Sequence, residues 1–198
     1  MNKVIDPLMA IHQQILDDPR NEDFLKNGEF PLYQVSKDSQ IVIIGQAPGV
    51  KAMERQKAWD DKSGERLKKW LTLDDNLFYD ASKVAILPLD FFYPGKAKSG
   101  DLPPRGFFSY YVSLILKELK HIKIIILVGT YAQKYYLKAI TKANLTKTIQ
   151  AYEEYLPSVI VLPHPSPLNF RWLRKNVWFE SEVIPHIQKI MHEIKLTI

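Results

Sequence analysis

Hydrophobic residues gather in four short, unbroken runs along the chain: Ile41 to Ile44, Val84 to Leu87, Ile124 to Val128, and Val159 to Leu162. None alternates with polar residues, and Val and Ile dominate. This is the pattern of strands covered on both faces, as in a parallel sheet. Around the runs, apolar positions recur at helical spacing. Leu8, Ile11, Ile15 and Leu16 predict a short N-terminal helix. Leu67, Trp70 and Leu71 predict another, with Ser63 as its candidate cap. Phe108, Tyr111, Val112, Ile115 and Leu119 predict a third, and Tyr135, Tyr136 and Ile140, after Thr130, a fourth. The last carries Val183, Ile187, Ile190, Met191 and Ile194, and Pro185 confines its start to that neighbourhood. Asn21 to Lys37 is mixed and polar and reads as an excursion before the core.

Strands alternating with helices predict an α/β fold: a three-layer α/β/α sandwich around a central, mainly four-stranded parallel sheet. A chain of 198 residues suits a single domain over 1–198. Ligands in such folds bind beyond the carboxyl ends of the strands, so the informative loops follow Ile44, Leu87, Val128 and Leu162.

Composition narrows the chemistry. A net charge of +5 favours a polyanionic partner, nucleic acid first, and equally fits a basic soluble protein without one. With no cysteine, disulfides, thiolate nucleophiles and Cys-ligated zinc or iron–sulfur clusters are excluded. The longest apolar run, Ile124 to Gly129, is too short to span a bilayer, and the opening residues soon turn polar. The expectation is a cytoplasmic monomer that does not engage membranes.

Three of the four loops are unusual. The first is Gly45-Gln46-Ala47-Pro48-Gly49. Gly45 permits backbone conformations that other residues resist, Pro48 stiffens the turn, and Gly49 leaves room for close approach. The loop offers amides and the Gln46 side chain to something flat or anionic, or is a plain strand-to-helix turn. The second loop carries Asp90, Phe91, Phe92 and Tyr93, then Lys96, Lys98 and Arg105 among Gly95, Gly100, Pro103 and Pro104. Its aromatics either pack beneath the following segment or line a base-sized pocket, with Phe91 the candidate. Its cations suit a phosphate backbone, or are simply solvated. The last loop is His164-Pro165-Ser166-Pro167-Leu168, followed by Arg171 and Arg174. Two prolines hold it rigid and fix His164 just past a strand, with Leu168 at its tip as an apolar wedge.

These loops together resemble the uracil-DNA glycosylase superfamily, from Ile41 to about Arg174. The family's first motif, Gly-(Gln/Glu)-(Asp/Ala)-Pro-(Tyr/Gly), is matched by Gly45 to Gly49, and its last, His-Pro-Ser-Pro-Leu, by His164 to Leu168. Trp59 stands about fourteen positions after the first glycine, where the family places an aromatic that stacks on the extruded base. Val128-Gly129-Thr130-Tyr131-Ala132 also matches. The resemblance implies a DNA glycosylase that flips uracil or another deaminated base into a pocket and hydrolyses its N-glycosidic bond without metal or redox cofactor. His164 would stabilise charge on the leaving base, and Asp90 would orient water or stabilise the sugar cation, with Asp60 and Asp61 as alternatives. Gly45, Gln46, Ala47, Pro48, Gly49, Trp59 and Phe91 would bind the base. Lys96, Lys98, Arg105, Ser166, Pro167, Leu168, Arg171 and Arg174 would face DNA.

The sequence departs from that pattern at informative points. Ala47 stands where many members carry a water-positioning Asp, Gln46 where the Ala-bearing branch usually has Glu, and Pro88 where an Asn normally reads the uracil edge. The iron–sulfur cluster common in that branch has no cysteines to hold it. Two other readings therefore stand beside the glycosylase: a relative that binds nucleic acid and cleaves little, and a hydrolase of another nucleoside or nucleotide.

Overall fold

The computed structural model describes residues 6–98 and 100–195, so the opening residues lie outside it. Four strands, β1 (Ile41–Gly45), β2 (Val84–Pro88), β3 (Ile124–Val128) and β4 (Val159–Leu162), form one parallel sheet in the order β2-β1-β3-β4. Every strand residue is buried. Strand pairing is in simple register, Ile41 beside Val84 on one side and Ile124 on the other. The unbroken Val and Ile runs are explained by the two cores they separate. Val42 and Ile44 point into one cluster, with Ile11, Ile15, Phe108, Val112 and Ile115. Ile41 and Ile43 point into the other, with Leu67, Leu71, Ile187 and Met191. Each fully buried Ile or Leu contributes roughly 1.5–3 kcal/mol of transfer free energy, which is why helices must cover both faces.

Ten helices are described: α1 (Pro7–Asp17), α2 (Glu22–Lys26), α3 (Val50–Arg55), α4 (Lys62–Leu71), α5 (Asp75–Phe78), α6 (Phe108–Glu118), α7 (Gly129–Leu137), α8 (Leu145–Gln150), α9 (Phe170–Lys175) and α10 (Ile184–Lys195). A π-helical turn, Phe179–Val183, runs directly into α10 with Pro185 just past the junction, so the irregular turn falls where proline interrupts the α-helical ladder. Among the described residues no helix is long and apolar enough to cross a membrane.

Two details differ from the sequence expectations. The cap of α4 is Asp61, whose Oδ1 accepts from the Gly64 amide at 2.9 Å, and Ser63 is buried inside the first turn. In α7 the buried side is Ala132, Gln133 and Leu137, while Tyr136 and Ile140 lie exposed. The helix stops at Lys138, whose φ of 49° turns the chain before Ile140 can join that side. The amide Nε2 of Gln133 donates to the Leu162 carbonyl at 2.9 Å, so a polar residue takes a core slot and locks α7 to the end of β4.

Because β2 lies on one side of β1 and β3 on the other, the connection from β1 to β2 runs one way along the sheet and that from β2 to β3 crosses back past β1. That switch opens a crevice at the carboxyl end of β1. Asn21 to Lys37 is more than an excursion: Gln34 forms an antiparallel bridge to Ile86, and the Leu32 amide donates to the Phe91 carbonyl at 2.7 Å. These bonds bring Leu32 to the same crevice.

Candidate active site

At the carboxyl end of β1 lies a cavity of about 180 Å³, bounded by the first loop from Gly45 to Gly49 together with Trp59, Asp61, Asp101, His164 and Ser166, and floored by Leu32, Ile86 and Pro88. Residues more than a hundred positions apart in sequence therefore meet in one space.

Trp59 occupies an unusual conformation, with φ at 58°. A bulky residue in the left-handed region is strained by about 1–3 kcal/mol and stays there only when its surroundings dictate it. Two glycines supply the surroundings. A Cβ on Gly64 would fall 1.7 Å from the Trp59 carbonyl oxygen, so only glycine lets α4 start against that backbone. A Cβ on Gly45 would come within 3.1 Å of the indole Cζ2, so the strand end is bare where the ring lies on it. The indole faces the imidazole of His164, with ring centroids 5.6 Å apart and planes tilted by 34°.

His164 follows β4 and is fixed from several sides. Its Nδ1 accepts from the Ser166 amide at 3.2 Å, which places the proton of the neutral ring on Nε2. The Asn169 amide Nδ2 donates to the His164 carbonyl at 3.0 Å, and Arg66 donates to the Pro165 carbonyl at 3.2 Å. The imidazole lies against Gly129, whose φ of 84° lets α7 begin directly at the end of β3. Burial pushes His164 below its ordinary pKa of 6.5, against a smaller upward pull from Asp61 and Asp101. The ring is thus a neutral, oriented N–H donor at neutral pH, and burial in a low dielectric strengthens what it donates to. Beyond it, Leu168 is 83% exposed at the loop tip. Its amide donates to the Ser166 hydroxyl at 3.2 Å, closing a tight turn at Pro167.

The family model of the uracil DNA glycosylase superfamily matches residues 32–188. The chain belongs to that superfamily. In this superfamily member the two outer motifs lie side by side at the strand ends, joined by Trp59 between them.

The second loop is placed otherwise than the resemblance suggests. Asp90 is fully buried away from the cavity, and both carboxylate oxygens are engaged. Oδ2 accepts from the Arg105 amide at 3.0 Å and its Nε at 2.9 Å, and Oδ1 from Arg105 Nη2 at 2.9 Å and the Phe92 amide at 3.1 Å. The reason lies in the continuing chain. Leu89 and Asp90 donate to the Gly45 and Gln46 carbonyls at 3.0 and 3.1 Å, and this extension of the β1–β2 pairing turns Asp90 toward Arg105. Arg105 is consumed in the same pair and stacks over Phe24, 4.3 Å from its centroid, so neither the carboxylate nor the guanidinium faces the cavity. Phe91 is likewise a core residue, fully buried, stacked on Tyr33 at 4.6 Å and tilted by 59° against Phe108 at 4.9 Å. Leu32, Ile86 and Pro88 form the apolar floor in its place.

The remaining positions are exposed or line the mouth. Lys96 and Lys98 stand exposed on the loop after Tyr93, and Arg171 and Arg174 on α9, while Ser166 lines the cavity. Asp60 is held by Arg55 at 2.9 Å and Lys57 at 3.6 Å, which keeps its carboxyl below the usual range. Asp61 borders the cavity itself. Sequence reading missed Asp101, which follows Gly100 in a loop of no regular pattern. Gln46 ties the two loops together, its Nε2 donating to the Leu102 carbonyl at 3.3 Å.

Proposed function

We propose that the protein is a DNA glycosylase that hydrolyses the N-glycosidic bond of uracil or another deaminated base. The observation that carries this is His164: a neutral imidazole with its proton on Nε2, fixed by the Ser166 amide, beside a Trp59 held in a strained backbone, the two lining one base-sized cavity. The target nucleotide leaves the stack and its base enters the cavity against Trp59. As the bond to C1′ breaks, negative charge grows on the base oxygens, and a preorganised donor stabilises that charge more in the transition state than in the ground state. Leu168, exposed at a rigid tip, fills the gap left in the stack. Lys96, Lys98, Arg171 and Arg174 supply phosphate contacts around the mouth.

The test is single-turnover base release from single- and double-stranded oligonucleotides carrying uracil, hypoxanthine or xanthine. Wild type is expected to release one of these bases, and His164→Ala to lose about 100–1000-fold. Equal release by His164→Ala, with its fold intact, would remove the mechanism. A second reading, a relative that binds nucleic acid and cleaves little, is favoured by the engagement of Asp90 with Arg105 and by the absence of a carboxylate at Ala47. It takes over if wild type binds abasic-site DNA but releases nothing.

A further inference from the structure

The glycosidase reading leaves one role unfilled, since water must be oriented and deprotonated. Four carboxylates lie near enough in sequence or space to be considered. Asp90 is spent on Arg105, and Asp60 on Arg55 and Lys57. Asp61 borders the cavity but uses Oδ1 to cap α4. Asp101 also borders the cavity, and among the described residues it forms no ion pair and caps no helix. Its position is nonetheless built. Its backbone bridges antiparallel to Lys96, the next amide, that of Leu102, donates to the Gly95 carbonyl at 2.9 Å, and the Leu102 carbonyl accepts from Gln46. Its Oδ1 accepts from the Tyr93 hydroxyl at 3.0 Å. Gly95 has a φ of 107°, and a Cβ there would meet Leu102 Cδ1 at 3.2 Å, so the turn that delivers Asp101 needs glycine at its base.

We propose that Asp101 is the catalytic residue that activates water in this pocket, with Tyr93 as its positioning residue. The proposal rests on the glycosidase reading. The water oxygen forms a bond to C1′ as the C1′–N bond breaks. The electron pair of the broken bond leaves with the base, where His164 Nε2–H stabilises it. The proton released by the water passes to the Asp101 carboxylate and then to solvent. A carboxylate from this loop replaces the one that Ala47 does not provide, and its charge also favours the cationic sugar. The titratable groups sharing its surroundings are Tyr93 and Lys96 in its own loop, and Asp61 and His164 in the pocket.

The experiment is single-turnover release from the oligonucleotide that wild type cleaves, with folding checked by melting temperature. Asp101→Asn is expected to lose about 100–10,000-fold, the usual contribution of a positioned base, while still binding DNA with an abasic-site analogue. Asp61→Asn is expected to lose less than about 10-fold, because Asn caps a helix as well as Asp. Tyr93→Phe removes the hydroxyl that holds Asp101 Oδ1, so it is expected to slow release in the wild-type background but not in Asp101→Asn, a non-additivity that a merely packing Tyr93 would not show. Release by Asp101→Asn within about 3-fold of wild type, or an equal loss in Asp61→Asn, would overturn the assignment alone. No release by wild type from any deaminated base would overturn the glycosidase reading together with it.

Discussion

Replacing Arg105 by methionine keeps much of the aliphatic reach over Phe24 and removes the guanidinium from Asp90. The Asp90 side chain has no exposure and that of Arg105 only 24%. Removing one partner of a buried pair costs about 3–5 kcal/mol, because the other charge is left in a poor solvent. Here two backbone amides, of Phe92 and Arg105, still reach the carboxylate, and the quarter-exposed guanidinium leaves a path for water. Both features point to the lower end, about 3 kcal/mol. At about 2–4 °C per kcal/mol for a chain of this size, the melting temperature should fall by roughly 6–12 °C. Asp90→Asn should fall comparably, since its amide turns a donor toward the Arg105 N–H groups. The assay is calorimetry at neutral pH, with base release measured well below both transitions. A structural Asp90 predicts a destabilised Asp90→Asn that still releases base once folded. A variant as stable as wild type that had lost release by about 100-fold would instead restore Asp90 to the chemistry and refute the reasoning.

His164 gives a pH signature. Its pKa is lowered in the fold, so the unfolded chain binds the proton first. Its contribution to stability is complete above about 6.5 and is lost as pH falls through the folded value, and His164→Gln should abolish that part of the decline in a urea-unfolding series. Gly64→Ala forces a Cβ onto backbone atoms of Trp59 and should cost about 3 kcal/mol or more by the same measurement, with no relief from adding Trp59→Ala. Gly45→Ala meets only the indole, and the same second substitution should relieve it, so a double-mutant cycle separates the two. Leu168→Ala should leave stability within about 0.5 kcal/mol, since the side chain lies in water, yet weaken binding to duplex DNA. Equal duplex affinity would take the wedge role from Leu168.

The sheet was legible because burial on two faces leaves short unbroken runs of Val and Ile, too short for helices, and the runs Ile41 to Ile44 and Ile124 to Val128 are strands in the structure. The outer motifs were legible because glycine and proline punctuate them at strand ends. Asp90 and Phe91 were misplaced for one reason: a residue just past a strand faces the ligand or the core according to whether pairing continues. Here it continues through Leu89 and Asp90. No spacing rule announces Arg105 fifteen residues later as the partner. Asp101 and Leu32 were missed because tertiary contacts alone bring irregular segments to the crevice. In α7 the aromatic spacing of Tyr135, Tyr136 and Ile140 suggested an apolar face, but Gln133 occupies the interior by satisfying a strand-end carbonyl.

The lock between Asp90 and Arg105 has a further consequence for how much variation this chain can carry. Both anchors of the intervening chain sit behind the cavity, one in the sheet's extension and one just ahead of α6, while the chain between them meets the cavity through Asp101 and touches Gln46 through Leu102. A cassette bounded by such a clasp is exchangeable. Apart from Gly95 and Asp101, its side chains can drift or be recombined while the ends stay fastened and the β-scaffold, the tryptophan seat and the histidine turn are left as they are. Libraries confined to positions 94–104, with Gly95 and Asp101 kept, should therefore reshape the cavity mouth at little expense in fold, whereas the same number of changes spread over the first and last loops would dismantle the seat itself.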